Sequence, residues 1–405
     1  MSRVAVVAVA VSGGRDSMAL LHCTARASKP LGIEVIALHV HHGLQLGADD
    51  WARQVQRTSK RWALLCVVTH LEGKPGKGES VEAWARQGRY AALVNMAGDV
   101  GVSLVLLAHH RRDQAETFLL QALRGAGPAG LASMPRHAER GGIIWARPWL
   151  EVPHEAIEAY ARRHRLRSVD DPSNQDPRYA RSRLRAGVMP ALREGFPAAE
   201  AMLGAAAARA AEASALLAEV AQQDLAAIAD GAAIRLVPWR ALSDARRRNA
   251  LRAWLRDRLG RGASETLVGR LMTELPASGP AQWPADGGTL RRYRGRLEAI
   301  AAEPPAPSAL RTTAVEQGGI ALDLLQGSEW RARQGGERYQ RALGTPPRSL
   351  KKQFQAAGVP AWQRDAPLLY SADGRLLFVP GLGIDARALA RPGEPQCALS
   401  WVRQG

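Results

Sequence analysis

The sequence predicts an α/β protein: a parallel sheet covered by helices on both faces, followed by a helical middle domain and a small α+β C-terminal domain. Three observations carry this. An apolar strand signal, Val4 to Val11, runs straight into Ser12-Gly13-Gly14-Arg15-Asp16-Ser17 and then into a helix signal from Met18. Strand and helix signals go on alternating over residues 1 to about 125. The polar residues Ser12, His39, His41, His109 and His110 all fall at carboxyl ends of strands. That is where open α/β sheets hold their ligands.

In order, Ile33 to Val40 is a second strand ending in His39-Val40-His41-His42-Gly43, and residues 49 to 62 read as a helix. Leu64 to Thr69 is a third strand, Lys74 to Gly78 a glycine- and lysine-containing loop, and Ser80 to Ala97 a helix with Ser80 as N-cap. Ser103 to Ala108 is a fourth strand, and Asp113 to Arg124 a helix closed by Gly125 and Gly127. A break is expected around Gly141-Gly142. Beyond it come a helix within Pro148 to Arg165, a turn at Asp170-Asp171-Pro172-Ser173-Asn174, and a basic segment from Tyr179 to Arg185 running into Pro190. Pro197 to Leu225 is a long alanine-rich helix with Leu216, Leu217, Val220 and Leu225 recurring on one face. Residues 230 to 302 read as compact and mostly helical, and Pro304-Pro305-Ala306-Pro307 as a linker. Short strands, glycine turns and one basic helix, Ser349 to Ala357, complete the chain. The expected domains are 1–195, a connecting helix 196–229, 230–303 and 310–405.

Composition narrows the partners. The net charge of +17 comes mostly from arginine, since Lys29, Lys60, Lys74, Lys77, Lys351 and Lys352 are the only lysines. Such an excess points to a polyanion, nucleic acid above all. Cys23, Cys66 and Cys397 are far apart with no C-x-x-C pair, which argues against a disulfide framework, a zinc knuckle or an iron–sulfur site and suits a reducing cytoplasm. The N-terminal apolar run imitates a short signal peptide, but cleavage there would destroy the strand that presents the glycine loop. No apolar run approaches the roughly 20 residues of a membrane span.

The loop is the first chemical feature. Gly13 and Gly14 let the backbone approach an anion closely, and a helix opening at Ser17 turns its positive end toward it. Neither a G-K-[ST] triplet nor G-x-G-x-x-G is present, so the cradle is neither a Walker loop nor a dinucleotide fingerprint. His39 and His41 share one side of their strand; with no carboxylate or thiolate at ligand spacing, they read as polar edge residues of a nucleotide pocket and not as a metal cluster. Asp113 and Glu116, at i and i+3 of a first turn, can complement the helix dipole or capture an amine. Arg86 and Arg89 form either a solvated face or a phosphate contact. Arg181, Arg183, Arg185, Arg246, Arg338, Lys351 and Lys352 are the candidates for a polyanion backbone.

These residues resemble the tRNA(Ile)-lysidine synthetase family of PP-loop ATP pyrophosphatases, over nearly the whole chain. The Ser-Gly-Gly-x-Asp-Ser loop alone resembles only the wider superfamily of adenine nucleotide alpha hydrolase-like domains. The family resemblance rests on His39-Val40-His41-His42-Gly43-Leu44, Ala85-Arg86-Gln87-Gly88-Arg89-Tyr90, and Asp113-Gln114-Ala115-Glu116-Thr117 followed by Arg124-Gly125-Ala126-Gly127. Gly335-Gly336-Glu337-Arg338, Leu350-Lys351-Lys352 and Val379-Pro380-Gly381-Leu382-Gly383 are similar to the family's tail domain. The sequence departs from the family at Arg112, where an Asp is usual, at Gly88 for Ala and at Ser182 for Asn. Arg112 reverses a charge beside the expected site.

The resemblance implies an ATP-dependent ligase that adenylates the wobble cytidine of a CAU-anticodon tRNA(Ile) and joins free L-lysine to it. It implies ATP held by Ser12, Gly13, Gly14, Arg15, Asp16, Ser17, His39 and His41, with Mg2+ at Asp16. Asp113 and Glu116 would hold lysine, and Asp16, Asp113, Glu116 and Arg86 would carry the chemistry. Arg181, Arg183, Arg185, Arg246, Arg338, Lys351 and Lys352 would meet the tRNA. A cytoplasmic location without membrane attachment is implied, and a homodimer is open. The alternatives are another PP-loop tRNA enzyme, such as a thiolase, and a non-catalytic RNA-binding relative.

Overall fold

The computed structural model describes residues 5–41, 43, 47–73, 76, 81–169, 176, 178–260, 262–277, 279–301, 308–359, 364 and 366–403. They fall into two units, Met1–Leu217 and Ala218–Gly405.

The first unit is the expected α/β layer structure. Its elements are β1 (Val6–Ala10), α1 (Arg15–Ser28), β2 (Glu34–His41), α2 (Ala48–Arg61), β3 (Leu65–His70), α3 (Val81–Asp99), β4 (Leu104–Leu106), α4 (Arg111–Ala122), α5 (Pro128–Leu131), β5 (His137–Arg140), β6 (Ile143–Ala146) and α6 (His154–Arg163). The sheet order is β3-β2-β1-β4-β6-β5, parallel except for β5. Chain order reverses between β1 and β4, and the crevice outside their carboxyl ends is the ligand position of such sheets. Successive residues of β2 serve opposite layers: Val35 and Ala37 pack with Val9, Leu21 and Val55, while Ile36 and Leu38 pack with Leu93, Met96 and Trp145.

Several expectations are corrected here. Ser17 does not open α1: Gly14 is the N-cap, and the Ser17 hydroxyl bonds back to Gly14 O at 2.9 Å. Gly141-Gly142 is not a break. Both glycines have positive φ (64° and 72°) and make the turn between β5 and β6, which adds two strands to the same sheet. Ser80, the Asp170–Asn174 turn, the 304–307 linker and most of the Lys74–Gly78 loop lie outside the described residues.

The basic segment after Tyr179 is a short helix, α7 (Ala180–Arg183), a π-helical stretch, Leu184–Val188, and α8 (Met189–Gly195). Stretches of π-helix inside α-helices are uncommon and gather at functional sites. The long helix α9, Ala199–Ile228, begins in the first unit and ends in the second. Of the expected apolar face, Leu216 and Leu217 are exposed while Leu225 packs against the core of the second unit; Ala221, Asp224 and Ile228 are the helix's buried residues there. At 30 residues, with a mean hydropathy of 1.2 over its most apolar window, α9 is long and apolar enough by composition to cross a membrane. No such helix was expected. Its hydropathy comes from alanine, and Arg209, Glu212, Glu219 and Asp224 interrupt it.

In the second unit, helices α10 (Leu236–Ala241), α11 (Asp244–Leu259) and α12 (Glu265–Glu274) supply the expected helical middle region. They pack on a five-stranded sheet that was not expected, since residues 230 to 302 read as mostly helical. Its strands are β7 (Ala229–Asp230), β8 (Ala233–Arg235), β9 (Ala281–Ala285), β10 (Gly288–Tyr293) and β11 (Arg296–Ala301). They lie in the order β7-β8-β11-β10-β9. Trp239, Trp254 and Trp283 fill the core between the layers. The C-terminal region is built from small sheets. The longest pairing joins Ser308–Ala314 to Gln396–Arg403, and a basic helix, Leu350–Ala356, follows the hairpin pairing Arg338–Tyr339 with Arg348–Ser349.

Candidate active site

A cavity of about 500 Å³ opens at the carboxyl ends of β1 and β2. Its floor is the glycine loop. Gly13 has φ +92°, open to glycine and costly for other residues, and its carbonyl accepts from Val169 N–H at 3.0 Å. Ser12 and Ser17 brace the turn: their hydroxyls lie 3.2 Å apart, Ser12 N–H donates to Ser17 Oγ at 3.2 Å, and Gly14 N–H to Ser12 Oγ at 3.3 Å. The first intrahelical bond of α1 is Met18 N–H to Gly14 O. The amides of Arg15, Asp16 and Ser17 precede it, at the positive end of the helix dipole. The loop is shaped for a phosphate.

Asp16 lies under two imidazoles. Its Oδ2 is 3.5 Å from His110 Nε2 and its Oδ1 3.3 Å from His154 Nε2. Burial opposes its ionisation, but the His110 and His154 imidazoles beside it outweigh burial and hold the carboxyl well below the usual carboxylate range. Burial also works against a charged His110, yet Asp16, Asp113 and Glu116 together raise its pKa. The result is a charge-organised cluster with Asp16 firmly anionic.

Asp113 and Glu116 lie on one side of α4, as their spacing requires, and both are buried. Asp113 Oδ2 accepts from His110 N–H at 3.1 Å. The basic segment covers the rest. Arg185 Nε donates to Glu116 Oε1 at 2.6 Å, Arg185 Nη2 to Asp113 Oδ1 at 3.0 Å, and Arg181 Nε lies 3.4 Å from Glu116 Oε2. Two arginines read as backbone contacts thus sit on the two carboxylates read as amine ligands. Burial disfavours a charged Arg185, but the Glu116 bond and the charges of Glu116, Asp113 and Asp16 raise its pKa, so its guanidinium stays charged.

His109 behaves oppositely to its neighbour. Burial lowers its pKa to about 3, and the charges of Arg147, Arg89 and Arg181 assist while Asp113 opposes. Its ordinary value is 6.5. Between these values the unfolded chain binds the proton that the folded chain refuses, so stability falls as pH drops from 6.5 toward 3, by up to about 1.4 kcal/mol per pH unit. His109→Asn is expected to flatten that acid limb in thermal denaturation against pH. Equal slopes in both proteins would mean that His109 titrates normally.

Arg112 is turned away from the cavity. Its Nε donates to Glu200 Oε1 at 3.0 Å, its Nη2 to Glu155 Oε1 at 2.6 Å, and its Nη1 lies 3.1 Å from His154 Nδ1. The expected charge reversal is therefore offset by two carboxylates. Its influence on the site passes through His154.

Of the residues singled out in the sequence, Ser12, Gly14, Arg15, Asp16, Ser17, His39, His41, His109 and Arg185 line the cavity. Arg15 is paired with Glu158, and His39 Nδ1 lies 2.8 Å from Val11 O. Gly13, Asp113, Glu116, Arg181 and Arg86 do not line it; Arg86 lies over the Tyr90 ring at 5.5 Å. Arg89, one turn on, does line it. His154, Glu158 and Trp51 were missed; His154 and Glu158 are one turn apart on α6, a spacing that could have marked them. Arg183 is exposed, with Nη1 donating to Arg178 O at 2.9 Å. In the second unit Arg246 is paired with Asp224, Arg338 Nη2 donates to Pro347 O at 3.0 Å, and Lys351 and Lys352 are exposed on the basic helix. The hairpin pairing Arg338 with Ser349 leads directly into that helix, which gathers Arg338, Lys351 and Lys352 in one locality.

Known proteins share this organisation. Residues 2–192 match the profile of the PP-loop domain, 235–298 that of the TilS substrate binding domain, and 329–401 that of the TilS substrate C-terminal domain. The tRNA(Ile)-lysidine synthase of Ralstonia nicotianae is 42% identical over 96% of this chain and 91% of its own. The enzyme of that name from Alkalilimnicola ehrlichii is 38% identical over 95% and 91%. A solved structure, the U34-tRNA thiolase NcsA from Methanococcus maripaludis with its [4Fe-4S] cluster, is similar at 15% identity over 51% of this chain and 71% of that one, with a TM-score of 0.45. The chain belongs to the tRNA(Ile)-lysidine synthase family and is an ATP-binding, tRNA-modifying ligase.

Proposed function

We propose that this protein joins free L-lysine to carbon 2 of the wobble cytidine of tRNA(Ile) bearing a CAU anticodon, which changes decoding from AUG to AUA. The observation that carries the reading is the convergence of the phosphate loop, Asp16 and Arg185 on one cavity, in a chain similar to lysidine synthases along almost all its length. In the first step the cytosine carbonyl oxygen attacks the α-phosphorus of ATP, and pyrophosphate leaves toward the amides at the start of α1. The carbonyl oxygen, a poor leaving group, becomes part of an adenylate. In the second step the deprotonated ε-amine of lysine attacks carbon 2, the carbon–oxygen bond breaks and AMP departs.

Mg2+ fits beside the loop on one ground: Asp16 Oδ1 is a buried carboxylate oxygen without a hydrogen-bond partner. A magnesium ion needs one or two carboxylates and takes its remaining oxygens from phosphates and water, and bound there it would neutralise charge on the phosphates. Ser12, Ser17, His39 and His41 complete the nucleotide pocket, and His110 and His154 orient the Asp16 carboxylate. Asp113 and Glu116 receive the lysine ammonium once phosphates draw Arg181 and Arg185 away, because a phosphate offers an arginine the same two-pronged contact. Arg86 acts through its place over the ring of Tyr90, which lines the cavity. The tRNA backbone is met by Arg183, Arg246, Arg338, Lys351 and Lys352, with affinity falling steeply as salt rises. The work is done in the cytoplasm, by domains 1–195, 230–303 and 310–405 joined through the helix at 196–229, and a homodimer is the assembly to test.

The test is incorporation of labelled lysine into CAU-anticodon tRNA(Ile). Incorporation only in the presence of ATP is expected. Sulfur incorporation, or tRNA binding without any ATP turnover, would replace this reading by a thiolase or by a non-catalytic RNA-binding protein.

A further inference from the structure

We propose that His41, Asp49 and His70 form a binding site for a zinc-class divalent metal ion at the outer edge of the sheet, beside the nucleotide cavity. The register of the sheet creates it. His41 ends β2 and His70 ends β3, and the two pair directly, with ring centroids 4.5 Å apart. By the alternation along β2, His41 faces the α2 layer. Asp49, in the first turn of α2, brings its Oδ1 to 3.0 Å from His41 Nε2. One ligand atom from each of the three residues lies within 4.8 Å of the others. In the sequence the histidines lacked a carboxylate; the fold supplies one.

The local geometry accommodates an ion: the His41–Asp49 pair already holds its two ligand atoms 3.0 Å apart. His41 is buried, and its Nε2 has no hydrogen-bond partner although a carboxylate oxygen is 3.0 Å away. Two ligand atoms bound to one zinc ion, each at about 2.0–2.1 Å and near tetrahedral to right angles, stand roughly 3.0–3.4 Å apart. Two imidazoles and one carboxylate suit zinc and its neighbours better than magnesium, which prefers oxygen alone. Asp49 and His70 are exposed, so a fourth position faces solvent. His41, Ala48 and Trp51 all line the nucleotide cavity, so an ion held here ties the start of α2 to the strand edge and stiffens that wall.

The experiment uses the untagged full-length protein, stripped with a chelator and titrated with zinc chloride in competition with a chromophoric chelator. Cobalt(II) in parallel reports the ligand geometry by its visible absorption. One equivalent of zinc is expected, with a rise in melting temperature. His70→Ala and Asp49→Asn, both at exposed positions, should each weaken binding at least about 10-fold, the loss that even an outer-shell partner carries, and abolish the thermal shift. Asp16→Ala should leave zinc affinity unchanged. Absence of stoichiometric binding overturns the proposal, as does zinc that is lost in Asp16→Ala and retained in the other two variants, since it would then sit at the phosphate loop.

Discussion

Asp16→Asn is expected to lower tRNA-dependent pyrophosphate release by on the order of 10²–10³-fold, the cost of removing one preorganised charged group from a closed site, with little change in melting temperature. The substitution keeps the shape of the side chain and removes its charge. Its neighbours make that charge valuable: His110 and His154 hold the carboxyl ionised despite burial, and one of its oxygens has no hydrogen-bond partner to lose. The loop's own braces, from Ser12, Ser17 and Val169, do not involve the Asp16 side chain. Circular dichroism and single-turnover pyrophosphate release on the same preparation check both halves. A loss below 10-fold would reduce Asp16 to a structural residue.

Arg185→Ala is expected to cost about 3 kcal/mol, near the lower end of the 3–5 kcal/mol for breaking a buried ion pair by removing one partner. Glu116 is fully buried and accepts from Arg185 at 2.6 Å, and Asp113 loses its contact at 3.0 Å. The cost stays at the low end because Arg181 remains 3.4 Å from Glu116 and Arg185 is itself one-third exposed. Urea denaturation measures it. Glu116→Gln in the same background should recover much of the loss, because a buried amide carries no unpaired charge, and the double variant should then fall short of the sum of the two single changes. Strict additivity would show that the two residues do not interact.

What could be read in the sequence was local. The strand, glycine loop and helix of residues 6–28 announce themselves through alternation of apolar residues and two adjacent glycines, and the expected strands from Ile33 to Ala108 fall within a few residues of β2, β3 and β4. Long-range pairings gave no such signal. Arg185 meets Glu116 across 69 positions and Arg112 meets Glu200 across 88, and in each case a charged residue in a basic or acidic run looks like any solvated one. Gly141-Gly142 read as an interruption because a type I′ turn and a boundary use the same residues. In the sheet of the middle region Pro284 masks only one strand, β9, and is tolerated there because β9 is the edge strand. Asp49 and His70 were legible as residues but not as neighbours of His41, since strand register and helix placement alone bring them together.

The loop before α1 is proposed here as the pyrophosphate-releasing half of an adenylating site. Incubating the protein with CAU-anticodon tRNA(Ile) and ATP labelled at the α-phosphorus, without lysine, tests it most directly. Transfer of the α-label to the tRNA is expected, with one pyrophosphate released per label, and discharge of that label as AMP when lysine is added. Failure of the α-label to reach the tRNA, or transfer of label from a parallel sample of γ-labelled ATP instead, would contradict it.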